Sequence, residues 1–94
     1  MPSSTACAWL EPYLGKIVVC DLDEFFLVIG TLAAIGDGHL AFADADLHDH
    51  REANSTKEVY IVETRKIGVR VNRSRLSVPM RRLVAISCLD EVVA

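Results

Sequence analysis

The chain has no Cys-x-x-Cys pair, no apolar run long enough to span a membrane, and no excess of positive charge. Each absence removes a class of function. The three cysteines, Cys7, Cys20 and Cys88, are odd in number and far apart, so they spell neither a zinc site nor a redox motif. They read as reduced, half-buried fillers of an intracellular protein. Without a long apolar run there is no helical membrane span, and the start "MPSSTACAWLEPYLGK" lacks the basic opening and apolar centre of a signal peptide. The cytoplasm is the expected location, with no membrane partner. A formal charge of −3 and a pI near 5.5 do not suit a body that grips nucleic acid by bulk electrostatics, so any such site must be local. No serine or cysteine has a histidine partner at a recognisable spacing, and no glycine-rich loop precedes a helix. The chain therefore reads as a non-enzyme with no cofactor.

What is present is a small, apolar, β-rich sequence. Its 94 residues, 51% of them hydrophobic, suffice for one domain over 1–94, and a domain of this size buries a modest fraction of its surface. A partner chain would help it. Ser3 or Ser4 can cap a short helix through Trp9 and Leu10, and Pro12 sets its end, which makes 1–13 an N-terminal helical element. The run "KIVVCDL" is apolar on both faces and rich in β-branched residues, as in a buried strand. A second strand, "FFLVIGTLAAI", has Gly30 near its middle, where the missing side chain lets a sheet bend or another backbone approach.

Gly36-Asp37-Gly38 between two apolar runs predicts a hairpin turn, because Gly and Asp tolerate the positive φ that such turns need. The third strand begins near His39, with Leu40 and Phe42 on one face and His39, Ala41 and Ala43 on the other. Residues 51–68 form an insertion before the next strand. Within it Ser55 and Glu58 have capping-box spacing and Gly68 could end a helix over "KEVYIVETRKI", whereas "VYIV" favours strand; both readings stay open. The pattern from Val69 to Met80 predicts a fourth strand that Pro79 ends or bends. Arg81 and Arg82 make the next turn, and "LVAISCL" is a short fifth strand.

Two charged clusters stand out. Asp44, Asp46, His48 and His50 have the i, i+2 spacing that puts alternate strand residues on one face, and carboxylate with imidazole is metal-ligand chemistry. They span about 20 Å of extended strand, so they do not converge on one ion without a sharp bend, and the expectation is a solvated strand end with no metal. The stretch "RKIGVRVNRSR", with Arg65, Lys66, Arg70, Arg73 and Arg75, is either a local phosphate patch or the charge match of "DADLHDHRE" on an adjoining strand or subunit.

The residues "LGKIVV" at 14–19, "GTL" at 30–32 and "HLAFADA" at 39–45 resemble the Sm and Sm-like (LSm) family. Its first motif reads G, x, L, a turn, an Asn, then L-x-L-x-D-A, and Gly30, Leu32, Leu40, Phe42, Asp44 and Ala45 match it. Of the second motif, Val78, Leu83 and Ile86 fill the apolar places, with Pro79 and Met80 where Arg and Gly are expected. The resemblance implies a mainly β fold: a five-stranded, strongly bent, SH3-like small barrel with a short N-terminal helix. It also implies a homo-oligomeric ring, in which the fourth and fifth strands pair with those of neighbouring copies, and single-stranded RNA binding at the ring pore. Carried over by position, His39 takes the Asn place, Asp37 lies near the loop Asp, and Arg81 and Arg82 sit in the turn that faces them. The alternative is a non-catalytic oligomeric scaffold or regulatory module that kept the barrel without RNA binding.

Overall fold

The computed structural model describes residues 5–23, 25–52 and 55–93, with side chains from residue 8 onward. Helix α1 (Thr5–Leu10) runs into a 3-10 turn at Glu11–Tyr13 that contains Pro12; the caps expected at Ser3 and Ser4 lie outside the described residues. Five strands follow: β1 (Ile17–Leu22), β2 (Phe26–Gly36), β3 (His39–Asp49), β4 (Arg73–Pro79) and β5 (Leu83–Cys88). They form one antiparallel sheet in the order β4-β3-β2-β1-β5. Helix α2 (Lys57–Ile67) is inserted between β3 and β4. The five-stranded bent barrel expected from the sequence is the fold observed.

The bend is built at Gly30. The β2–β3 register runs from Ile29 opposite Asp46 to Thr31 opposite Ala43, so β3 carries one extra residue there. Asp44 adopts φ 50, and a Cβ on Gly30 would lie 2.8 Å from both Cα and Cβ of Ala45. Only glycine lets the strands approach so closely. This bulge also flips the alternation along β3. Leu40, Phe42 and Ala45 all face the barrel interior, with Leu10, Val18, Cys20 and Leu32, while Asp46 turns to the opposite side. The four-residue face expected for Asp44, Asp46, His48 and His50 is therefore not formed: Asp44 is exposed at the bulge and His50 lies in a 3-10 turn beyond the strand.

A second core covers the outer side of the sheet, where Val19, Leu27 and Ile29 meet Tyr60 and Ile61 of α2 and Leu89. The sequence "IVVC" is apolar on both faces because both are covered: Val18 and Cys20 point inward and Val19 outward. Burial pushes the Cys20 thiol up to about 12, with the Asp21 charge adding to it, so it is an inert filler. Residues 57–67 are helix despite "VYIV". Burying Tyr60, Ile61 and Thr64 on one face outweighs local strand preference. The cap is Thr56 rather than Ser55: its hydroxyl accepts the Val59 N–H at 3.2 Å. Gly68, at φ 99, stops the helix and donates its N–H to Thr64 O at 2.8 Å.

The fourth strand starts later than its apolar pattern suggests, at Arg73 rather than Val69. Docking of α2 explains the difference. Val69 packs into the outer core, Arg70 lies over the Tyr60 ring, and the Asn72 side chain takes the place of a ladder residue. Its amide accepts from Leu47 N at 2.9 Å and donates to Leu47 O at 3.1 Å. No helix among the described residues is long and apolar enough to cross a membrane.

Candidate nucleic-acid interface

The β2–β3 connection is a two-residue turn in which Asp37 and Gly38 have φ 51 and 75. Positive φ at both central positions is the type I′ hairpin geometry that matches strand twist. His39 follows at the exposed start of β3, and its Nδ1 lies 3.1 Å from the Asp37 carbonyl oxygen. A carbonyl only accepts, so Nδ1 carries the proton. Nε2 of the neutral ring is then an acceptor on the solvent side.

Two contacts bring the β4–β5 connection to this tip. His39 is the register partner of Pro79, and Met80 donates its N–H to Gly38 O at 2.7 Å. Pro79 cannot donate to the ladder, and the chain leaves β4 there into the 3-10 turn Met80–Arg82. Asp37, His39 and Arg81 are thereby placed around one exposed corner. Arg81 forms no ion pair among the described residues. The corner combines an imidazole face, a guanidinium and backbone polar groups, which is the chemistry for stacking a base and meeting a phosphate.

Arg82 is drawn elsewhere. Its guanidinium pairs with Asp23 in the β1–β2 turn, and that hydrogen bond holds the Asp23 carboxyl below the usual carboxylate range. Beside Arg82 an apolar cleft of about 230 Å³ opens between Leu22, Phe26, Leu47 and β4 residues Leu76, Val78 and Pro79. It lies along the β4 edge of the sheet.

The acidic and histidine cluster has a structural part. Asp46, 2% exposed, accepts the Tyr60 hydroxyl and, at 3.1 Å, the Asn72 amide. Burial, then the Asp46 hydrogen bond and charge, push the Tyr60 phenol up to about 12. His48 stacks on the Tyr60 ring with centroids 3.8 Å apart. The Arg70 guanidinium lies 4.4 Å from the same centroid, and the stacked imidazole leaves it only the opposite face. Asp49 is held by Arg51 through contacts of 3.0 and 2.8 Å. Among the described residues no group of three His, Cys, Asp or Glu is placed to hold a metal ion.

The basic stretch does not match "DADLHDHRE" within the chain. Arg70 pairs with Glu63 at 3.5 Å, Arg65 donates to the Val92 carbonyl, and Arg73 donates to Asn72 O at 2.9 Å. Tyr60, Asn72 and Asp23 do structural work that the sequence did not announce. Tyr60 sits inside an apolar run, and a single asparagine in a basic segment carries no pattern of its own.

No protein-family model matches the sequence, and no curated protein matches it. Solved structures do match in fold. The Sm protein of Pyrococcus abyssii in complex with a uridine heptamer shares 17% identity, with 90% of this chain and 99% of that chain covered at a TM-score of 0.60. The SmAP (LSm) protein of Methanococcus vannielii shares 18% identity over 93% of this chain and 99% of its own, at a TM-score of 0.57. A chain of the NatC complex bound to CoA shares 18% identity over 99% of this chain and 100% of its own, at 0.55. At these identities the likeness defines a fold, and that fold is the Sm fold.

Proposed function

We propose that this chain, as a single Sm-like domain over 1–94, assembles into a homo-oligomeric cytoplasmic ring and binds single-stranded RNA at the pore. The observation that carries the reading is the Met80–Gly38 hydrogen bond of 2.7 Å, which joins the Asp37–His39 tip to the turn that carries Arg81. The His39 ring stacks a base, and its in-plane Nε2 is left to hydrogen-bond a neighbouring nucleotide. Arg81 meets phosphate or stacks in turn. A uridine heptamer bound to an Sm protein of the same fold makes oligo-U the first probe.

Ring assembly has its own support. Strands β4 and β5 are the two edges of the sheet, each with a row of backbone groups free to pair. Pairing β4 of one copy with β5 of the next is head-to-tail, and it closes when the rotation per copy divides a circle. The apolar cleft along β4 would be covered by that neighbour. The chain has no catalytic role in this reading.

A second reading, a non-catalytic scaffold or regulatory module without RNA binding, is favoured by the engagement of Arg82 with Asp23 and by the net charge of −3. A chain of the NatC complex with the same fold fits that reading too. Fluorescence anisotropy with oligo-U and oligo-A over a salt series separates the two. Pore binding predicts affinity at low salt, and Ala at His39 should weaken it by about 1–3 kcal/mol, the value of one stacked base. Absent binding at low salt, or binding unchanged by His39→Ala and Arg81→Ala, selects the scaffold. Light scattering tests the ring separately, and a monomer at micromolar concentration contradicts it.

A further inference from the structure

We propose that the outward face of α2 is a self-docking surface, on which two copies of this chain pair their helices antiparallel about a two-fold axis at Val62. Helix α2 buries Tyr60, Ile61 and Thr64 against the barrel. Its other side presents Glu58, Val59, Val62, Glu63 and Lys66, which with Val93 line a shallow groove of about 460 Å³. Val59 is 47% exposed and Val93 90%, while Val62 between them is half-buried, so the apolar part of this groove is only partly covered by the described residues.

The charge pattern names the occupant. Glu58, Val62 and Lys66 stand four residues apart and form one ridge along the helix. Reversing a second α2 about Val62 sets valine on valine and brings each Glu58 to the partner's Lys66, twice by symmetry. Parallel pairing instead opposes like charges at both ends. Antiparallel pairing also sets the N-terminal end of each helix dipole beside the C-terminal end of its partner's, with Glu58 in the first turn and Lys66 in the last. Glu58 and Glu63 repel an anionic partner such as nucleic acid or a lipid headgroup, which leaves a second copy as the complementary surface.

One pair of eleven-residue helices is smaller than a standard interface of about 1,200–2,000 Å², so the test traps the contact. In a full chain carrying Cys7→Ser and Cys88→Ser, the buried Cys20 is left unreactive and Val62→Cys adds one half-buried thiol on the groove. On mild oxidation at micromolar concentration Val62→Cys should yield a disulfide-linked dimer, whereas Asp90→Cys, exposed in a separate cleft with Lys16 and Ile17, should not. Glu58→Lys should slow Val62→Cys cross-linking by roughly tenfold, since two ion pairs become two repulsions, and adding Lys66→Glu should restore the rate. Far-UV circular dichroism confirms that each variant is folded. Cross-linking no faster than that of Asp90→Cys, indifference to Glu58→Lys, or no rescue by Lys66→Glu would each overturn the proposal. Pore binding and ring mass are read with other variants, so their failure leaves this result intact.

Discussion

At its start β3 leaves a two-residue turn with His39 exposed to solvent, and at its end the same strand buries Asp46 beneath Tyr60. Both ends are polar in sequence, with histidine and aspartate in each. What separates them is what covers them. Among the described residues the start has the Met80–Arg82 turn beside it, and His39 and Asp37 there stay exposed to solvent. The end is roofed by α2, and the carboxyl groups of Asp46 and Asp49 are taken up by Tyr60, Asn72 and Arg51, while His48 Nε2 and His50 Nδ1 are buried without a hydrogen-bond partner among the described residues. Similar residues thus become candidate binding groups at one end and a structural network at the other. The bulge at Asp44, opposite Gly30, divides the two.

The largest expected effect comes from removing that divide. Gly30→Val places a side chain where a Cβ already meets Ala45 at 2.8 Å, and overpacking of this kind costs about 3 kcal/mol or more. A drop in the urea midpoint measures it, and an unchanged midpoint would mean that the strands do not approach so closely. Next is Tyr60→Phe, which leaves the buried Asp46 carboxylate without its hydroxyl donor. The expected loss is about 1–3 kcal/mol, read from the same melts.

The Tyr60 pair also sets an alkaline dependence. The phenol titrates near 10 when unfolded and is pushed up to about 12 when folded. Between those values the unfolded chain gives up the proton first, so the stability that Tyr60 confers is full below pH 10 and is lost as pH rises toward 12. Melts of wild type against Tyr60→Phe over that window should converge. Thr56→Ala removes the helix cap and should cost about 1 kcal/mol. Smallest is His39→Ala at the other end of the strand, where stability should change by no more than about 0.5 kcal/mol while oligo-U affinity falls. A large loss of stability there would erase the contrast between the two ends.

Much of the barrel was legible because its signals are local. Gly36-Asp37-Gly38 can make little but a tight turn, Gly30 marks a close approach, and "IVVC" asks for cover on both faces. The Sm motif residues Leu40, Phe42 and Ala45 face one interior together, although the bulge that makes this so cannot be seen from alternation alone. At Asp44 the strand period breaks without any change in residue type, so the expected acidic face dissolved. The helix over 57–67 was undecided because its strongest support is tertiary: Tyr60 and Ile61 gain more against Val19, Leu27 and Ile29 than "VYIV" would gain as strand. The late start of β4 follows from the same docking, through Asn72. Of the candidate pore residues, Asp37, His39 and Arg81 fall together, while Arg82 is held by Asp23, a partner 59 positions away that no local pattern could indicate.

Hydrogen exchange of the wild-type protein, with and without oligo-U at low salt, tests the central claim most directly because it reads both ends of β3 at once. Pore binding predicts added protection in peptides spanning 36–40 and 80–83, and none in those spanning 46–50 and 57–67. Protection confined to the α2 end, or absent throughout while oligo-U is present in excess, would contradict it.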